Sequence, residues 1–511
     1  KKIFKNEVLL VRMLHAHDNN TNKERLKGMF KEQLLDYQAE KEYLLIRILY
    51  INNYSLDKKT ICKKLKTSYP TLKKIVERTN AYFKEYYPKE KIELTMNTHD
   101  IYFQETPNIP VDNLTFSFFT NSDKYILLDL LYKHPHLSRT VLANKLNISD
   151  TSLNVLISQC NDLLKEFDLR IRNGDIEGSS FQYLYFYLLF YWSTNSTPIN
   201  LETLNNHEIN EWFSKNYGKT IGLIEQKKLS LWLVLLREKK KKLSSDSINS
   251  STVSYVPNVQ DTKLFQDLKV FFKQNWKEIS YDEIDNVAYV TFLFLNSFEI
   301  LDRKIIDLHS IHINDQRNLL VSKVLILLQQ TFHIDSLYNL VHTNLFYLLG
   351  RLLFFKGAIY TIDKITLNYY LTQYKSDFED SSVNKIIQAE PTLEQKFNQQ
   401  QLSYFKHIIY SLIFLLKRYN KNTVKIALLL DTSPFLATTF STKLDELFYN
   451  NPSIQIEMFV AEKQYDLIIT NIKCDQILKT REHFFISNLG SKTDLKKIVA
   501  LIDKISLGYS L

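Results

Sequence analysis

One helical pattern of apolar residues occurs twice in this chain, 81 residues apart, and that repetition constrains the fold more than any other feature. Ser68–Tyr86 reads SYPTLKKIVERTNAYFKEY and Ser149–Phe167 reads SDTSLNVLISQCNDLLKEF. Few letters are shared. Yet Leu72 falls on Leu153, Ile75 on Leu156, Val76 on Ile157, Thr79 on Cys160, Tyr82 on Leu163 and Phe83 on Leu164. Apolar residues at offsets 0, 3, 4, 7, 10 and 11 share one face of an α-helix, so each copy has one side to bury and one side free.

The repeat extends upstream. Leu45, Ile46 and Leu49 match Ile126, Leu127 and Leu130, and Ile61 and Leu65 match Leu142 and Leu146. Three helices are predicted in each unit, at 41–51, 58–66 and 71–86, then at 123–132, 138–146 and 151–167. Only TSYP and NISD separate the second helix from the third, a connection short enough for a helix-turn-helix corner. Ser68 and Ser149 are predicted caps of the third helices, and Pro70 suits a first helical position. After each third helix comes an alternating stretch, KIELTMNTHDIYFQ and then FDLRIRNGDIEGSSFQ, whose period of two with a polar turn predicts a hairpin. Three helices and a hairpin make a winged helix-turn-helix, expected here at 41–108 and again at 113–180, after an N-terminal helical segment at 1–40.

The two copies differ in charge. Of the formal net charge of +9, +7 lies in residues 1–110, and the segment 41–91 holds 13 basic and 5 acidic residues. Residues 121–172 balance at +1. A localised cationic patch on a helix-turn-helix unit points to a phosphate-rich partner. The free face of the first third helix begins Ser68, Tyr69, Thr71, Lys73 and Lys74, with Arg78 further along, and Lys63, Lys64 and Lys66 flank it. A helix fits the major groove with its first residues against base edges, and lysines around it neutralise phosphates. In the second unit the corresponding face offers Thr151, Ser152 and Asn154, which can hydrogen-bond but carry no charge. The expected ligand is double-stranded DNA. Helical modules for protein–protein contact are the alternative for either unit.

From about Phe181 onward the helices become long and very apolar, as in YLYFYLLFYW and NLLVSKVLILLQQTF, without a sustained heptad, so bundles are expected rather than a coiled coil. A polar stretch at Ser244–Lys263 reads as a linker, and Lys239–Lys242 before it as a solvated helix end. The last ninety residues alternate VKIALLLD, SPFLATTFSTKLDELFYN, IQIEMFVA, YDLIIT, HFFIS and KTDLKKIVALIDKI, which predicts a small parallel α/β sheet. A reactive group in such a sheet usually sits in the loop after the first strand, here Asp431–Leu436.

Several classes are excluded. No GxGxxG or GxxxxGK[ST] run is present in a chain with 9 glycines, so no phosphate-binding glycine loop and no cofactor are expected. Cys62, Cys160 and Cys474 are too far apart for a metal knuckle or a redox pair. The pairs His15/His17, His134/His136 and His309/His312 each lack a third ligand, so no metal is expected. The greasy runs are too short for a membrane span or are broken by Arg351 and Lys356. The N-terminal KKIFKNEVLLVRML has no small-residue cleavage site. A cytoplasmic protein without membrane contact is the expectation.

The order of parts, with stretches such as DLRIRNGDIEGSSFQYLYFYLLFYW, resembles the Mga/AtxA virulence regulators of low-GC Gram-positive bacteria. The expected fold class is then mainly α and multidomain. It comprises two winged helix-turn-helix units, two all-helical phosphotransferase-system regulatory (PRD-like) modules at 181–296 and 297–419, and a IIB-like α/β domain at 420–511. The resemblance implies that the histidine-containing phosphocarrier protein HPr phosphorylates histidines in the helical modules. Candidates are His207 in NNHEINEWF, His342 in LVHTNLFYLLGR with Arg351 downstream, and His407 in FKHIIYSL. His309, His312 and His333 are weaker ones. Added phosphoryl charge on a helical surface would shift packing.

Cysteine-class IIB domains carry a reactive thiol in the loop after the first strand. Here that loop reads Asp431-Thr432-Ser433, and neither hydroxyl nor carboxylate replaces a thiolate. A homodimer-forming role is expected for this domain, and no enzyme. The reading is a DNA-binding transcription regulator, expected to activate virulence or sugar-responsive genes. The alternatives are an RNA-binding antiterminator with PRD modules, which would need a small β-rich RNA domain, or a IIB phosphotransferase component.

Overall fold

The computed structural model describes residues 30–104, 111–194, 196, 207–218, 221–245, 259–276, 279–300, 316–330, 338–359, 363–374, 377–419, 424–448, 454–472, 482–487 and 490–506. The chain divides into two compact units. One comprises Lys1–His312, Gly350–Gln373 and Gln399–Tyr404, and the other Ile313–Leu349, Tyr374–Asn398 and Phe405–Leu511.

In the first compact unit, α1 (Phe30–Gln33) precedes a three-helix unit formed by α2 (Tyr37–Ile51), α3 (Lys58–Leu65) and α4 (Tyr69–Tyr86). Asp36 starts α2 by accepting from the Gln38 and Ala39 N–H groups, both at 2.8 Å, and Asp57 starts α3 by accepting from the Thr60 N–H at 2.8 Å. The six positions expected on the buried face of α4 are all buried: Leu72, Ile75, Val76, Thr79, Tyr82 and Phe83. The wing has three strands where two were expected. A short β1 (Ser55–Asp57) pairs antiparallel with β3 (Asp100–Gln104), whose other edge pairs with β2 (Glu93–Met96). Ser55, Leu56 and Asp57 lie opposite Tyr102, Ile101 and Asp100.

Two short helices, α5 (Val111–Leu114) and α6 (Phe116–Thr120), lead into the second unit: α7 (Asp123–Lys133), α8 (Arg139–Leu146) and α9 (Asp150–Leu164), the last continued by a 3₁₀ turn at Lys165–Phe167. Its hairpin is β4 (Arg170–Arg172) with β5 (Asp175–Glu177), turned at Asn173 and Gly174, both with positive φ. A Cβ on Gly174 would lie 2.0 Å from the Leu137 carbonyl oxygen, so this turn requires glycine. The repeat holds at backbone level. Asp57 and Ser138 cap the second helices, and Lys66 and Asn147 end them in the left-handed region, at φ 52° and 58°. Each pair is 81 residues apart. Leu153, Leu156, Cys160, Leu163 and Leu164 of α9 are buried as expected, whereas Ile157 is only half-buried. Burial pushes the Cys160 thiol up to about 12, as suits an inert core residue.

The helices α10 (Ser180–Ser193), α11 (His207–Tyr217), α12 (Leu223–Ser245), α13 (Lys263–Asn275) and α14 (Tyr281–Leu295) follow. Nearly every side chain of α10 is buried, because α10 packs on the second winged unit as well as on α12. Its tyrosines need polar partners there. Tyr187 donates to the Leu128 carbonyl at 2.8 Å, Tyr191 to the Asp129 carboxylate at 2.9 Å and Tyr185 to the Ala358 carbonyl at 2.6 Å. Trp232 of α12 stacks on Phe294 of α14, ring centres 4.5 Å apart. Of the expected linker at Ser244–Lys263, residues 246–258 lie outside the described residues, and α12 reaches Ser245 on one side while α13 starts at Lys263 on the other.

Helices α15 (Gln316–Gln329), α16 (Tyr338–Phe354), α17 (Lys364–Tyr374), α18 (Asp377–Ala389), α19 (Thr392–Lys396) and α20 (Gln399–Tyr419) complete the helical region. In the second compact unit α15 packs on α18, and Lys323 pairs with Glu390 at 2.8 Å. The C-terminal part has four strands, β6 (Val424–Leu429), β7 (Ile454–Met458), β8 (Leu467–Thr470) and β9 (His483–Phe485), in the order β7-β6-β8-β9. All three pairings are parallel, as the alternation predicted. Helices α21 (Pro434–Phe448) and α22 (Lys492–Ser506) cover it, with Phe440, Leu444, Ile498 and Ile502 buried against Val424, Ile426, Leu428, Leu467 and Ile469. Among the described residues no helix is long and apolar enough to cross a membrane, and no His/Cys/Asp/Glu cluster could hold a metal.

Candidate nucleic-acid interface

Helix α4 is held from beneath by its apolar face, and what remains outside is polar. Lys63, Lys64, Lys66, Ser68, Tyr69, Thr71, Lys73 and Lys74 are all exposed. The left-handed Lys66 ends α3 and turns the chain toward α4, so Lys63 and Lys64 of the last turn of α3 and Lys66 itself directly precede the first turn of α4. Among the described residues Lys73 pairs with Glu77, at 4.0 Å between two mostly exposed side chains, a contact that screens its charge little. Tyr69 is 50% exposed at the start of the helix. Ser68 sits at the cap position without capping: its hydroxyl contacts the Thr71 hydroxyl at 2.9 Å and makes no bond to a backbone N–H. Pro70 is the second helical residue, not the first.

Arg78 stands apart from the other basic residues. It is half-buried and its Nε donates to Glu42 of α2 at 2.6 Å. Burial raises the Glu42 carboxyl, while the Arg78 contact lowers it. Arg78 thus braces α4 against α2 from the edge of the face.

In the second unit Thr151, Ser152 and Asn154 are exposed at the start of α9. Here the serine does cap: Ser149 Oγ accepts from the Ser152 N–H at 3.2 Å. Arg139 of α8 donates to the Asn154 side-chain oxygen, bringing a cation to this face that the sequence reading left out. An open groove of about 840 Å³ runs between α9 and the hairpin, lined among others by Asn154, Ser158, Asp162, Lys165, Arg170 and Glu177. With Asp168 its carboxylates number three against the two cations Lys165 and Arg170, which does not suit a phosphate track.

Two asparagines that the sequence reading passed over fix the wings. Asn80 accepts from the Leu94 N–H at 2.7 Å and donates to the Leu94 carbonyl at 2.8 Å, sewing β2 to α4. Asn161 accepts from the Ile171 N–H at 2.6 Å and does the same for β4. They are identical residues at the repeat offset, so the signal was present in the sequence. Lys58 was also missed. It lies between Tyr69 and the turn of the first wing.

The phosphorylation candidates lie elsewhere. His207 is the first residue of α11, with its side chain outside the described residues. His342 in α16 is half-buried with its ring 5.9 Å from that of Tyr338, and His407 in α20 is half-buried with its ring 6.5 Å from that of Tyr410. Arg351 is engaged by the Ser297 carbonyl at 3.2 Å and the Tyr404 hydroxyl at 3.0 Å. His15, His17, His309, His312, His333 and Cys474 lie outside the described residues. In the loop after β6, the Asp431 N–H donates to Asn471 at 2.8 Å, and Ser433 lies at an exposed helix start.

No curated protein matches the chain. Residues 107–191 match the family model of the Mga helix-turn-helix domain, a span that contains the whole second winged unit and most of α10. The chain carries an Mga helix-turn-helix domain, in keeping with the Mga/AtxA-type regulators that its sequence resembles.

Proposed function

We propose that this protein is a DNA-binding transcription regulator in which the two winged units divide the work. The first unit supplies most of the electrostatic grip through Lys63, Lys64, Lys66, Lys73 and Lys74, and Ser68, Tyr69 and Thr71 face the base edges. The second unit adds hydrogen-bonding contacts from Thr151, Ser152 and Asn154. The observation that carries this reading is the exposed cationic face on a helix whose opposite face is buried. Residues 181–296 and 297–419 act as PRD-like modules whose His207, His342 or His407 accept a phosphoryl group from HPr, and residues 420–511 pair two copies of the chain. Support for the last two points is the resemblance and the parallel α/β sheet.

The test is duplex binding at several salt concentrations with wild type and with Lys73→Ala/Lys74→Ala. Each phosphate contact contributes about 0.9 to the slope of log affinity against log salt, so the double variant should lower the slope by up to about 1.8 and weaken all sequences alike. An unchanged affinity and slope would remove α4 from the interface. Incubation with phosphorylated HPr followed by peptide mapping should label one of the three histidines, and no label on any of them would reject that part.

A further inference from the structure

Lys58 is the residue at which β1 ends and α3 begins, and its position makes it more than the first residue of a helix. Its backbone N–H donates to the His99 carbonyl at 3.0 Å. Its ammonium donates to the Asn97 carbonyl at 2.5 Å and to the Thr98 carbonyl at 3.3 Å. One residue thus holds three successive carbonyls of the turn between β2 and β3. The same ammonium lies 5.1 Å from the centre of the Tyr69 ring and 3.4 Å from its hydroxyl. Lys58 therefore joins the tip of the wing to the first turn of α4.

Each partner is itself rigid. Asn97 Oδ1 accepts from the His99 N–H at 2.8 Å and the Asp100 N–H at 2.6 Å, which closes the turn as a single body. Its side-chain amide donates to the Tyr102 hydroxyl at 3.1 Å. Tyr69 is anchored by the helix that Leu72 and Ile75 bury. Asn80 ties the wing to α4 at β2, the Lys58 ammonium adds the link at the wing tip, and among the described residues none of the groups that ammonium touches is an anion. Its positive charge is therefore not cancelled there, and it lies at the seam where Tyr69, Thr98 and His99 are all exposed.

We propose that Lys58 is the positioning residue of the first winged unit: it sets the wing tip beside the start of α4 so that Thr98 and His99 meet the duplex together with Tyr69. This inference rests on the DNA-binding reading above. Without the ammonium, β2 and β3 remain paired and sewn to α4 by Asn80, so the unit folds. The tip then loses its registry with Tyr69.

The experiment uses full-length protein, a duplex selected by the wild type from a random library, and hydroxyl-radical footprinting beside affinity measurement. The variants are Lys58→Met, Lys58→Arg, His99→Ala and Lys58→Met/His99→Ala, with thermal melting of each. Lys58→Met should bind about tenfold more weakly, the scale of one lost charge-assisted contact, and should lose protection on one flank of the footprint while the bases under α4 stay protected. Lys58→Arg should keep the flank. Once Lys58 is gone, His99→Ala should add less than about twofold, because the two act through one contact.

A wild-type footprint from Lys58→Met, or effects of Lys58→Met and His99→Ala that multiply, overturns the assignment and leaves the regulator reading intact. Failure of the wild type to bind any duplex defeats the regulator reading itself. The two failures are therefore distinct.

Discussion

Replacing Asp363 by alanine should loosen the first winged unit, although the two are more than 250 residues apart in sequence. The Asp363 side chain is 1% exposed. Its carboxylate pairs with Arg47 Nε at 2.9 Å, accepts from the Tyr43 hydroxyl at 3.2 Å, and accepts from the Thr366 N–H and hydroxyl, both at 2.8 Å. Arg47 and Tyr43 both belong to α2. Breaking a buried pair by removing one partner costs about 3–5 kcal/mol, because the other charge is left buried. Arg47 retains two neighbours here, Asp112 at 3.0 Å and the Thr366 hydroxyl at 2.6 Å, which favours the lower limit. The Tyr43 hydroxyl, however, loses its acceptor, and an unsatisfied buried hydroxyl costs about 1–3 kcal/mol. These losses overlap, and the expected total is about 3 kcal/mol.

Asp112 provides the control. It also touches Arg47, and Lys31 at 3.6 Å, but its side chain is 57% exposed, so Asp112→Ala should cost below about 1 kcal/mol. A chain with several domains does not unfold in one step, so the assay is native-state hydrogen exchange of the α2 amides, which reports local opening. Asp363→Ala should lower the opening free energy of α2 by about 3 kcal/mol, several times the effect of Asp112→Ala, and Arg47→Met/Asp363→Leu should recover most of the loss. A loss under about 1 kcal/mol, or one equal to that of Asp112→Ala, would refute the reasoning.

Two further outcomes follow from local geometry. Ser149→Ala removes a capping bond and should cost about 1 kcal/mol, whereas Ser68→Ala removes only a hydroxyl–hydroxyl contact and should leave stability within about 0.5 kcal/mol; exchange of the first-turn amides of α9 and α4 checks both. Gly357→Ala places a Cβ 2.5 Å from the Phe167 ring at a φ of +102°, so a loss of about 2 kcal/mol or more is expected, and a melting temperature equal to that of the wild type would contradict the packing described.

What the sequence made legible is what repeats locally. The six apolar positions of α4 and five of the six in α9 are where helical spacing puts them, and the apolar runs of the C-terminal part became parallel strands. The third strand of the first wing went unseen because β1 is three residues long and its partner β3 is over forty residues away. Arg78 read as one more cation of the free face, since nothing local reveals that Glu42 of another helix reaches it. Asn80 and Asn161 show the opposite case. Their identity at the repeat offset marked them, but an asparagine on a helix carries no apolar signal, and reading periodicity alone passes over it.

The least legible feature is also the one that ties the parts of the first compact unit together. On one side of residues 360–362, the chain grips the second winged unit and α10: Lys356 pairs with Asp168, the Lys356 N–H donates to Gln182 at 3.1 Å, and the Ala358 carbonyl accepts from Tyr185 at 2.6 Å. On the other side it grips the start of the chain: the Lys364 N–H donates to Glu32 at 2.7 Å and Asp363 holds Arg47. Both winged units are therefore bonded to one short segment that is remote from either in sequence. Of these anchors the Asp363–Arg47 pair is the costlier to break, because both side chains are buried. The duplicated unit explains why the chain has two similar faces, and residues on either side of 360–362 bond to each of the two units in turn.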